Sequence, residues 1–119
     1  MSVRHRMPDG IMFYITSASV EHMVNDALYK THGKLKLSDI PHIDEYFLTA
    51  GKPTIENNVK TNNKNIHYRK YPFLLNGHSL CIVIKDEKQK NGKHRVVLHS
   101  ITEQKRLQKQ PKLSLSGQL

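Results

Sequence analysis

The run Ser79-Leu80-Cys81-Ile82-Val83-Ile84-Lys85-Asp86 constrains the fold more than any other part of the chain. Its centre is apolar at consecutive positions, so both faces of a strand built from it need cover, which predicts a central strand. Asn76-Gly77 stands just before it. That pair suits a two-residue hairpin turn, because both central residues must take positive φ. A second pair, Asn91-Gly92, lies in the polar connection 87–93. Strands over 66–75, 79–86 and 94–102 therefore read as a three-stranded antiparallel meander.

The first half reads differently. Residues 11–15 (Ile-Met-Phe-Tyr-Ile) follow the turn signal Pro8-Asp9-Gly10 and predict a short strand. Val20, Met23, Val24, Ala27 and Leu28 recur at helical spacing, which predicts a helix over 18–31 capped by Ser17 or Ser19 and stopped near Gly33. Ser38-Asp39-Ile40-Pro41 opens a second helix, with Ile40, Ile43, Phe47 and Ala50 on its buried face and Gly51 and Pro53 at its end. The Asn-rich segment 56–65 reads as a loop or mobile hairpin. The expected fold class is α+β, N-terminal helices packed on a small antiparallel sheet meander. One domain covers 1–106, and 107–119 is a flexible basic C-terminal tail.

Composition narrows the function classes. At 119 residues and 37% hydrophobic content the chain suits one domain with a modest core. No stretch approaches the ~18 apolar residues of a membrane-spanning helix. The first residues carry charge with no apolar run after them, so no cleaved signal peptide is expected. Cys81 is the single cysteine, which excludes an internal disulfide and a cysteine-based zinc site. The formal net charge is +9 and is lopsided: residues 1–50 hold five basic and six acidic side chains, residues 51–119 fourteen and four. A basic half on a small domain points to a polyanion, above all nucleic acid.

Eight histidines stand out: His5, His22, His32, His42, His67, His78, His94 and His99. None falls in a metal-ligand signature, so neither metal nor cofactor is expected. Strand alternation puts His99 on a face with Arg95, Val97 and Ile101, and Val96 and Ser100 on the other. His22 lies beside the first helix's apolar stripe, with Asp26 four residues on to orient its ring. His32-Gly33-Lys34 sits at that helix's end. In Ile66-His67-Tyr68-Arg69-Lys70-Tyr71, alternation separates His67, Arg69 and Tyr71 from Tyr68 and Lys70. Lys52, Tyr68, Arg69, Lys85 and Arg95 are the candidate RNA-binding set, since Lys and Arg neutralise phosphates and Tyr stacks on bases. The chain has no P-loop, GxGxxG, GxSxG or acidic two-metal cluster. A basic, histidine-rich inventory suits RNA cleavage by 2′-OH attack, with histidine as acid and base.

The order of features resembles the phage-associated members of the barnase–EndoU–colicin–RelE-like (BECR) nuclease families. The resemblance rests on Val20-Glu21-His22-Met23, on Ala50-Gly51-Lys52-Pro53-Thr54-Ile55, on Tyr68-Arg69-Lys70 and on His99-Ser100-Ile101-Thr102. It implies a BECR-like fold and a small metal-independent endoribonuclease of toxin type. The implied catalytic set is His22 or His32 at the helix position, Lys70, His99, and Ser100 or Thr102. It implies RNA (tRNA or rRNA) as substrate, an acidic immunity or antitoxin protein as partner, and a cytoplasmic site of action, including that of a target cell. The alternative is a non-catalytic nucleic-acid-binding module of a phage or mobile element. The two differ in geometry: a His99 more than about 8 Å from every other histidine and from Lys70 would favour binding alone.

Overall fold

The computed structural model describes residues 3–58 and 63–104. The chain runs β1 (Arg4–Arg6), β2 (Met12–Tyr14), helix α1 (Ser17–Asn25), a π-helical turn (Asp26–Lys30), a 3-10 helix (Leu37–Thr49), then β3 (Thr54–Asn58), β4 (Asn63–Leu75), β5 (His78–Lys88) and β6 (His94–Glu103). Among the described residues these strands form one sheet in the order β1-β2-β6-β5-β4-β3. The expected α+β class holds, and the expected small antiparallel meander becomes the centre of a six-stranded mixed sheet. β5 is central, flanked on both sides by antiparallel partners. β2 adds to β6 in parallel through Tyr14 and Val97, and β3 adds to β4 as the outer arm of a hairpin. The polar segment 56–65 thus contributes strand at both ends; its residues 59–62, the boundary at 106 and the tail 107–119 lie outside the described residues.

Asn76 and Gly77 take φ of 50° and 82°, the paired positive values that an Asn-Gly hairpin turn supplies without strain. One sheet face carries the core, with Tyr71, Phe73, Ile82, Ile84, Leu98 and Ile101 buried against Phe13, Met23 and Phe47. The 3-10 helix suits its sequence: Ile40, Ile43 and Tyr46 recur every three residues and therefore stack on one side, facing that core. Asp39 accepts from the Lys36 N–H at 2.9 Å and fixes its start.

Helix α1 departs from the expected stripe. Its cap is Thr16, which accepts from Ser19 N–H at 3.1 Å while Ser19 Oγ accepts from Thr16 N–H at 2.9 Å. Its buried line is Ser19, Met23 and Asp26, whereas Val20 and Leu28 are 42% and 52% exposed. The reason lies in β6. Parallel pairing with β2 reaches Val97 and goes no further. Beyond it, Ser19 Oγ donates to the Leu98 carbonyl and Asp26 Oδ2 accepts from Ile101 N–H at 3.0 Å. Two helix side chains satisfy a strand edge that would otherwise be buried unpaired. The helix widens at Asp26, whose carbonyl accepts from Thr31 N–H, and ends on His32 and Gly33 at φ of 53° and 80°.

Candidate active site

β6 pairs Leu98 with Ile84 and Ser100 with Val83, which leaves His99 without a partner on β5. It is the extra residue of a β-bulge, a device that re-aims a side chain and is frequent beside active sites. The bulge corrects the simple alternation. Arg95 and Val97 do share a face with His99, but Ile101 turns into the core with Leu98, and Ser100 moves to the side of His99. Sequence carried a trace of this: the core-facing residues Val96, Leu98 and Ile101 are spaced two and then three apart.

The re-aimed ring lies 4.9 Å from the His22 ring and 5.1 Å from the Tyr68 ring, between centroids. His22 comes from α1 and Tyr68 from β4, so three elements meet here. Burial holds the His99 pKa down at about 4, aided by the charges of His22 and Lys85. Lys85 stands between Tyr68 and Val97 in register, so one row crosses the sheet as Glu56, Tyr68, Lys85, Val97 and Tyr14. The next row is Thr54, Lys70, Val83 and Ser100. Lys70 Nζ is not idle: it pairs with Glu56 Oε1 at 3.1 Å.

The remaining candidates fall elsewhere. His32 is 79% exposed and its Nδ1 is paired with Glu103, whose other oxygen takes Lys34. His22, and not His32, therefore stands at the His99 ring. These two contacts hold the Glu103 carboxyl below the usual range. Arg69 pairs with Ile84 and shares the core-side face with Tyr71, opposite Tyr68 and Lys70, and its buried Nε has no hydrogen-bond partner. Arg69 and Lys70 thus do not meet at one phosphate. Lys52 is exposed ahead of β3, at the far edge of the sheet. Arg95 is exposed on the His99 side, opposite Glu87. Asp26 Oδ2 accepts from Ile101 N–H, burial raises its pKa, and the nearby charge of His22 acts on it in the opposite direction.

The structure has two clefts among the described residues, and only the second borders the β6 strand near His99. One of about 410 Å³ lies against Tyr46, Pro72 and Phe73. The other, about 740 Å³, lies between residues 14–17 and the start of β6. Neither is lined by His22 or His99, whose pair sits on the open sheet face. Among the described residues no group of three or more His, Cys, Asp or Glu side chains could hold a metal ion, and no helix is long and apolar enough to cross a membrane. No family model, no curated protein and no solved structure matches this chain, so the reading of the site rests on its own geometry.

Proposed function

We propose that the chain is an endoribonuclease that cleaves RNA by internal attack of a ribose 2′-OH, working without a metal ion. The observation that carries this reading is the His22–His99 ring pair at 4.9 Å beside Tyr68. Two imidazoles within one substrate's reach can supply a base and an acid. His99, neutral above about pH 4, takes the 2′-OH proton. The 2′ oxygen bonds to the adjacent phosphorus and the 5′ oxygen leaves with a proton from His22, giving a 2′,3′-cyclic phosphate and a free 5′-OH. Lys85 faces the developing phosphorane charge, with Ser100 on the same face to orient it. A base this weak in the free protein gains strength when a phosphate binds beside it, because a nearby anion favours the imidazolium.

The test is incubation of the purified chain with tRNA and rRNA in EDTA, beside His22→Ala, His99→Ala and His99→Gln. Cleavage that survives EDTA and falls by about 10²–10⁴ in each histidine variant is the expected result. Near-normal turnover in either His99 variant removes that residue from the mechanism. Intact RNA with salt-sensitive binding would instead identify a nucleic-acid-binding module using the same Tyr68 and Lys85 face.

A further inference from the structure

The 740 Å³ cleft beside the histidine pair has the size and the chemistry of a small-ligand site. Its apolar lining is Ile15, Val96 and Val97, of which Val97 lies on the His99 side of β6, and the half-exposed Tyr14 ring stands beside Val97. At its other end are Lys93 and Arg95, neither of which makes an ion pair with a described residue. His94 also lines it, but its Nδ1 is held by Asp86 at 2.6 Å. Glu87, opposite Arg95 across the ladder, is the acidic neighbour. An apolar lining with an aromatic ring suits a base, and two cations without a described ion pair suit a phosphate. The cleft is also continuous with the catalytic face. Val97 lines it and precedes His99 by two residues on the same side of β6, a rise of roughly 7 Å.

We propose that this cleft is a nucleotide subsite for single-stranded RNA. It would seat a base against Tyr14 and its register partner Val97, and a phosphate on Lys93 and Arg95, next to the phosphate presented to His22 and His99. The inference rests on the endoribonuclease reading for its substrate, but the cleft's own chemistry can be tested apart from cleavage.

The probe is a fluorescein-labelled 2′-O-methyl uridine tetranucleotide, which lacks the attacking hydroxyl and is not consumed. Its dissociation constant is measured by anisotropy against the full chain over a range of salt. Lys93→Gln with Arg95→Gln should raise Kd by about tenfold and reduce the slope of log K against log salt by about 0.7, the share of one phosphate contact on a single strand. Tyr14→Ala should weaken binding at every salt concentration and leave the slope unchanged. Lys30→Gln with Lys36→Gln removes the same charge from the helices and should change Kd less than about twofold. The proposal is overturned if the Lys93/Arg95 variant binds like the wild type, or if the Lys30/Lys36 control loses as much. Tetranucleotide binding through the cleft with no cleavage of RNA would keep the subsite and remove the endoribonuclease reading. Cleavage and binding undiminished by the Lys93/Arg95 variant would do the reverse.

Discussion

His99 ties the stability of the fold to pH, apart from the catalytic role proposed for it. Its ring is neutral in the folded chain down to about pH 4, while an unfolded chain takes up the proton near the ordinary histidine value. Below about pH 6.5 the unfolded state therefore binds more protons, and stability falls until the folded ring protonates near 4. A displacement of this size corresponds to at most ~3–4 kcal/mol, and about 2 kcal/mol after solvent screening of a half-buried ring. Urea unfolding at pH 7 and pH 4.5 should show the wild type losing about 2 kcal/mol more than His99→Gln. Equal losses would mean that the ring titrates normally. Asp26 acts with the opposite sign, since burial raises its pKa and protonation on acidification favours the folded form. Comparison with His99→Gln cancels that contribution because both proteins retain Asp26.

At the scale of elements, α1 and the π-helical turn after it do the work of a strand. Ser19 and Asp26 complete the hydrogen bonding of β6 where β2 stops, and the same contact holds His22 beside the bulge. Asp26→Ala leaves Ile101 N–H buried and unpaired, which costs about 1–3 kcal/mol. Asp26→Asn retains an acceptor and removes a desolvated charge, so its stability should stay within about 1 kcal/mol of the wild type. Matching urea midpoints for the two variants would show that the Ile101 bond carries no stability. The helix pattern was legible in Met23 and the flanking residues. Its buried line was not, because Ser19 and Asp26 face inward for a strand edge about eighty residues away.

At the scale of the molecule, the N-terminal hairpin closes the sheet. Met7 and Phe13 are fully buried, and Phe13 meets Phe47 edge-on at 5.0 Å between centroids. This ties β2 to the 3-10 helix, while Tyr14 pairs β2 with β6 at Val97. Phe13→Ala should destabilise the fold by about 3–5 kcal/mol, measured by thermal or urea unfolding. A loss under about 1 kcal/mol would mean that the hairpin is an accessory to the sheet. The pairing of Tyr14 with Val97 spans most of the described chain, and contacts of that kind slow folding because loop closure precedes them. The charge asymmetry also acquires a location, since the basic half of the sequence builds β3 to β6, including Lys85 and Arg95 on the side of His99.

The three central strands and the Asn76-Gly77 turn were determined by the sequence alone, because doubly apolar strands and positive-φ turns are local demands that residue types answer directly. So was the separation of Arg69 from Tyr68 and Lys70, which follows from alternation in an unbroken strand. The edge strands β1 and β3 were not legible, since short polar segments become strand only when a neighbour offers its ladder. The bulge at His99, the parallel seat of β2 and the choice of His22 over His32 were tertiary decisions. Each depends on which distant group fills an unsatisfied strand edge or ring face, and no periodicity within one segment encodes that.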